Sequence, residues 1–171
     1  KYDCIVGVSG GVDSSWALVQ AVRSGLRPLA VHMDNGWNSE LAQSNISGIV
    51  SRLGVDLYTH VINWSEIRGL MDAFFDSDVI DVELLYDNAM LAVNYRQASK
   101  YNIKYILAGT NIATEGVDIP PGWNWYKSDK ANIISISKAF GGPRLKTFPS
   151  IGTLDTAYYV CLLYTSDAAD D

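Results

Sequence analysis

An apolar run at residues 2–8 leads straight into Ser9-Gly10-Gly11-Val12-Asp13-Ser14, and a helical pattern follows at residues 13–24. A hydrophobic strand that enters a glycine-rich turn and leaves it as a helix is a device for holding phosphate. Glycine takes positive φ without strain and lets the backbone approach an anion closely. The amides that come next are the unpaired donors of a helix N-terminus and carry its partial positive charge. Ser9, Ser14 and Ser15 add hydroxyls to the same cradle. The turn has no lysine and does not follow G-x-x-x-x-G-K-[ST], nor is it G-x-G-x-x-G. The plainer reading is a strand–helix turn of small residues with Asp13 as its N-cap.

The rest of the chain repeats this strand-then-helix rhythm. Pro28–Asp34 reads as a second buried strand. Asn35-Gly36 is a turn, and Ser39 caps a helix that runs to Leu53 and stops at Gly54. A third strand is expected at 57–62, with a helix opening at Trp64 or Ser65. A long helical pattern covers 81–101, a fourth buried strand 104–109, and a further helix 128–140 before Gly141-Gly142-Pro143. Short apolar strands alternating with helices predict an α/β fold, a doubly wound parallel sheet with helices on both faces. Right-handed crossovers then place the loops after strands one, two and four on one edge. Those loops carry the glycine turn, Asp34-Asn35-Gly36-Trp37, and the stretch from Gly109 and Thr110 to Glu115 and Gly116.

Composition narrows the partners. The 171 residues carry 13 basic and 19 acidic side chains, a net charge of −6, which does not suit a nucleic-acid binder. At 48% apolar and 19% charged residues the chain reads as globular, with no run of the ~20 apolar residues a membrane span needs. Cytoplasmic residence is the default. Cys4 and Cys161 form no C-x-x-C, so cysteine spacing supports neither a metal nor a redox site. His32 reads as a packed histidine. One domain is expected over 1–150, with a poorly defined tail at 151–171 whose last ten or so residues resemble translated adapter rather than native sequence. The aromatic loop Gly122-Trp123-Asn124-Trp125-Tyr126-Lys127 reads either as a sugar-stacking surface or as a lid packed on the core.

The S-G-G-V-D-S turn resembles the PP-loop of the ATP pyrophosphatases, and the resemblance implies an adenine nucleotide alpha hydrolase-like fold. It further implies that Ser9, Gly10, Gly11, Val12, Asp13, Ser14 and Ser15 grip the pyrophosphate of ATP, and that the segment matched by Ala30–Asp34 holds the adenosine. Asp34 itself reads either as reaching the ribose or a Mg²⁺ or as ending the strand in an Asx turn. G-T-N-x-x-x-E, with Gly109, Thr110 and Glu115, is similar to a segment of the amide-forming members that holds pyrophosphate and Mg²⁺. A triphosphate needs a divalent cation, and Asp13 and Glu115 would supply its carboxylates as catalytic and metal-binding groups. Three stretches, V-H-M-D-N-G-W-N-S-E-L-A, L-G-V-D-L-Y-T-H-V-I-N-W and K-Y-I-L-A-G-T-N-I-A-T-E-G, resemble the N-acetyl sugar amidotransferases of surface-polysaccharide biosynthesis. That resemblance covers roughly residues 2–150. It implies adenylation of the carbonyl of a nucleotide-linked N-acetyl sugar, loss of pyrophosphate, and amidine formation with ammonia from a glutaminase partner. The alternatives are a non-catalytic adenine-nucleotide-binding module, or another PP-loop enzyme such as a tRNA-modifying or amide-forming synthetase.

Overall fold

The structure is a computed structural model that describes residues 1–110, 123 and 125–162. Among the described residues four strands, β1 (Cys4–Gly7), β2 (Pro28–Asp34), β3 (Asp56–Val61) and β4 (Ile106–Leu107), pair in the order β3-β2-β1-β4, all parallel. The helices are α1 (Val12–Arg23), α2 (Glu40–Leu53), α3 (Trp64–Asp76), α4 (Leu84–Tyr101), α5 (Lys130–Ala139) and α6 (Thr153–Leu162). Ile5 pairs with Leu29 on one side and Ile106 on the other, which makes β1 the central strand. From β1 the chain steps outward to β2 and β3, then returns to lay β4 on β1's other flank. The order therefore reverses between β1 and β4, where an open α/β sheet leaves a crevice at its carboxyl edge.

Side chains alternate along β1 and sort the helices into two layers. Cys4, Val6 and Val8 join Ala30 against Leu18 and Ala21 of α1 and Ile46 of α2. Burial there pushes the Cys4 thiol up to about 11, as suits an inert core cysteine. Ile5, Leu29 and Val31 turn the other way, against Val93 and Ala98 of α4. Beyond that second layer lies the largest core, where Leu70 and Phe74 of α3 meet Leu85 of α4, Ile133 of α5 and Phe148. Each such side chain contributes about 2 kcal/mol when fully buried.

Local chemistry starts and stops these helices. The Ser39 hydroxyl accepts from the Ala42 amide, and Gly54 ends α2 at φ +63°. Asn63 accepts from the Glu66 amide at the start of α3, and Asp129 from the Asn132 amide at the start of α5. The N-terminus of α1 is different: Gly11 caps it with no side-chain hydrogen bond.

Several boundaries move relative to the sequence reading. The first strand shrinks to Cys4–Gly7, and α1 starts at Val12, so Asp13 lies in its first turn and is not the N-cap. The fourth strand pairs only at Ile106–Leu107, and α4 begins at Leu84, with Asp81 outside it and bound to Lys127. The third strand begins at Asp56 and is a largely exposed edge. A helix, α6, occupies Thr153–Leu162 where no element was expected. It has no clean apolar stripe, since Leu154 is 87% exposed, and it is held by Tyr159 stacked on Tyr95 of α4 at 5.4 Å.

Candidate functional site

The phosphate-type turn is wired from within. The Val8 amide makes β1's last sheet bond, to the Val31 carbonyl at 2.9 Å. The chain then turns at Gly10, φ +81°. A Cβ there would sit 2.5 Å from the Ala42 carbonyl oxygen of α2, and the Asn45 side chain donates to the Gly10 carbonyl at 3.0 Å. Only glycine fits this pinned, left-handed position. The Ser14 hydroxyl donates to the Gly11 carbonyl at 3.3 Å and accepts from the Ser9 amide at 3.2 Å. It also lies 3.1 Å from the Ser9 hydroxyl. The hydroxyls of Ser9 and Ser14 thus shape the turn by bonding within it.

What the turn leaves open is backbone. The Ser15 amide makes the first helical bond, to Gly11. No side chain among the described residues caps the Val12, Asp13 and Ser14 amides, and Ser9, Gly11 and Val12 are exposed. These are the unpaired donors of a 12-residue helix, aimed at the crevice with the helix dipole behind them. The Asp13 carboxylate makes no hydrogen bond or ion pair with another described residue.

The fourth strand closes the cradle from its other side. A Cβ on Gly109 would lie 2.5 Å from the Ser14 Cα and 2.6 Å from its nitrogen. The exit of β4 therefore abuts the first turn of α1, with exposed Thr110 the next residue along. The structure brings Ser9, Gly10, Gly11, Val12, Asp13, Ser14 and Ser15 together with Gly109 and Thr110 across the switch in strand order. Glu115 lies outside the described residues.

Asp34 is engaged locally. Its Oδ1 accepts from the Gly36 amide and from Asn38 Nδ2, each at 3.0 Å, which is the Asx turn open to it from sequence. Asn38 continues to His32 Nε2 at 3.3 Å, and His32 Nδ1 lies 2.9 Å from the Val8 carbonyl. A carbonyl only accepts, so Nδ1 carries the proton and Nε2 is the acceptor. Buried His32 thereby ties the exit of β1 to the loop after β2, as a packed histidine.

The opposite wall rests on polar anchors that the sequence did not announce. Glu66, 8% exposed, accepts from the Lys146, Thr147 and Phe148 amides and from the Thr147 hydroxyl. Burial pushes its carboxyl up, but these four donors outweigh that and hold it below the usual carboxylate range. Fully buried Asn88 donates to the carbonyls of Lys127 and Ile151 and accepts from the Ile151 amide. Lys127 bridges Asp81 and Asp87 at 2.7 and 3.0 Å, and Asp81 also accepts from the Trp125 amide. Burial opposes ionisation of Asp81, yet Lys127 and that amide hold its carboxyl low. The Trp125–Lys127 stretch is therefore anchored to the start of α4, while the rings of Trp125 and Tyr126 remain exposed.

No family model matches the sequence, and no curated protein matches it. Solved structures do. NMN synthetase from Francisella tularensis superposes with a TM-score of 0.52 and 19% identity, covering 94% of this chain and 75% of that one. A glutamine-dependent NAD+ synthetase from Acinetobacter baumannii, solved with ADP, gives 0.56 and 20%, covering 81% and 29%. An NH3-dependent NAD synthetase from Campylobacter jejuni, solved with nitrate, gives 0.51 and 16%, covering 80% and 62%. The chain shares their fold, the adenine nucleotide alpha hydrolase-like arrangement expected from its sequence. It spans less than two thirds of the length of both NAD synthetases.

Proposed function

We propose that this chain is the ATP-binding part of a PP-loop amidotransferase that cleaves ATP to AMP and pyrophosphate and converts an amide carbonyl to an amidine. The observation that carries the reading is the uncapped N-terminus of α1, held open between Gly10 and Gly109 at the switch in strand order. That arrangement supports a site for the pyrophosphate of ATP. The synthetase fold supports the reaction class, and the ADP in one neighbour agrees with the nucleotide. The finer assignment, to a nucleotide-linked N-acetyl sugar as acceptor in surface-polysaccharide biosynthesis, rests on the sequence resemblance.

The amide oxygen attacks the α-phosphorus and pyrophosphate leaves; ammonia then adds to the carbon and AMP departs with the oxygen. The chain contributes position and charge. The Val12, Asp13 and Ser14 amides face the departing pyrophosphate and stabilise its growing charge. Gly10 and Gly109 let two backbones close on it, and Thr110 adds a hydroxyl at the exit of β4. Mg²⁺, when bound, would neutralise phosphate charge; the free Asp13 carboxylate fits such a role, with Glu115 as its partner in the proposal. Ammonia would come from a separate glutaminase. No helix among the described residues is long and apolar enough to cross a membrane.

Phosphorus NMR of ATP with Mg²⁺, ammonium and a panel of UDP-linked N-acetyl sugars tests this. AMP and pyrophosphate appearing with one sugar is the expected result. ADP and phosphate would overturn the mechanism, and bound ATP without turnover would favour a nucleotide-binding module.

A further inference from the structure

We propose that Trp37 and Trp64 form a stacking platform for a ring of the second substrate, on the opposite side of the crevice from the phosphate cradle. The proposal rests on the function argued above and adds to it a subsite for the acceptor.

Two large aromatics are left open here and yet held still. Trp37 is 60% exposed and Trp64 46%. Their rings meet edge to face, centroids 5.4 Å apart and planes at 69°. Trp37 Nε1 donates to the Tyr86 hydroxyl at 2.8 Å, and that hydroxyl is itself 2.8 Å from the Met71 sulfur. The Trp37 amide donates to Asn35 Oδ1 at 3.0 Å. Gly36, at φ +81°, lies so close over the Trp64 ring that a Cβ would stand 3.0 Å from it. Both N–H groups of Trp37 are thus engaged within the protein, and the ring faces the pair exposes are apolar and held in place. Order of this kind, present before a ligand arrives, removes an entropic cost of binding.

Position gives the platform its occupant. Trp37 follows β2 and Trp64 follows β3, both at the carboxyl edge that also carries the cradle. Neighbouring strands are about 4.8 Å apart, so the exit of β3 lies roughly 10 Å from that of β1. Trp64 begins α3 and Tyr86 lies in the first turn of α4, the layer across the sheet from α1 and α2. A nucleotide gripped by the first turn of α1 approaches from one layer, and a ring on Trp37 from the other. Trp accepts either a nucleobase or the C–H face of a pyranose, and an acceptor that carries both has two rings to offer. Stacking on one aromatic is worth about 5- to 150-fold in affinity.

Calorimetric titration of the wild type, Trp37→Ala and Trp37→Phe decides it. The probes are UDP-N-acetylglucosamine, UDP, N-acetylglucosamine 1-phosphate and a non-hydrolysable ATP analogue. The expected result is that Trp37→Ala lowers affinity for the UDP-sugar at least fivefold relative to the ATP analogue, and that Trp37→Phe restores most of it. The same loss with UDP places the base on the platform; the same loss with the sugar phosphate places the pyranose there. An unchanged ratio overturns the proposal, as does a fall in ATP-analogue affinity of equal size, which would give the platform to adenine. Binding of the ATP analogue with no UDP-sugar binding in the wild type also overturns it. Failure of the wild type to bind the ATP analogue defeats the parent function instead, and is read from a separate titration.

Discussion

The α1–α2 layer and the α3–α4–α5 layer treat their polar groups in opposite ways. On the first, the amides at the start of α1 face solvent with no cap among the described residues, and shape comes from hydroxyl bonds within the turn and from close backbone contact: Gly10 against Ala42, Gly109 against Ser14. On the second, three polar side chains tie distant segments together: buried Glu66 on three successive amides, buried Asn88 on two segments, and half-buried Lys127 between two carboxylates. A site for an anion must keep donors unpaired, so steric closure takes over the work that capping would do elsewhere. A layer assembled from distant stretches of chain must fix them to one another, and buried hydrogen bonds do this with more directionality than apolar contact.

Substitution on the closing layer should give the largest loss of stability. Glu66→Ala leaves the Lys146, Thr147 and Phe148 amides without an acceptor and should cost about 4 kcal/mol. In thermal unfolding this is a fall of roughly 8–16 °C, with the affinity of the folded protein for an ATP analogue little changed. A fall of a degree or two would erase the distinction between the layers. Gly10→Ala should show the reverse pattern. Its Cβ cannot coexist with the Ala42 carbonyl, so the turn must open, and ATP-analogue affinity should drop about 30-fold, on the order of 2 kcal/mol. Its melting temperature should fall by less than that of Glu66→Ala.

Acid sharpens the same contrast. The Glu66 and Asp81 carboxyls are held below their ordinary values of 4.5 and 3.8, so the unfolded chain takes up protons first as pH falls. Their contribution is fully present above pH 4.5 and is lost as pH drops through the lower folded values. Urea unfolding at pH 6 and pH 3 should show the wild type losing stability and Glu66→Gln losing less. The smallest effect belongs to Ser39→Ala, about 1 kcal/mol for the cap of α2, read from the same unfolding curves.

What the sequence made legible was encoded locally. The glycine turn, Pro28–Asp34, the Ser39 cap and the Gly54 stop each depend on residues within a few positions of one another, and each is found in place. The convergence of the loops after β1 and β4 followed from alternation and handedness alone. The closing layer was hidden because its bonds span long separations: Glu66 meets Thr147, Asn88 meets Ile151, and Trp37 meets Tyr86. Nothing near Glu66 in sequence marks it as other than a first-turn acid of α3. The platform was hidden for the same reason, since Trp37 and Trp64 are 27 residues apart and meet only when β2 and β3 pair.

The contact between Gly109 and Ser14 bears on how such a chain can change its chemistry over time. With that backbone already against the first turn of α1, any side chain at position 109 would collide with Ser14. On the proposed function, adaptation to a new acceptor is therefore steered away from the cradle and toward the aromatic wall, where Trp37 and Trp64 are exposed. In that proposal one phosphate grip would serve successive acceptors, each read by the aromatic wall.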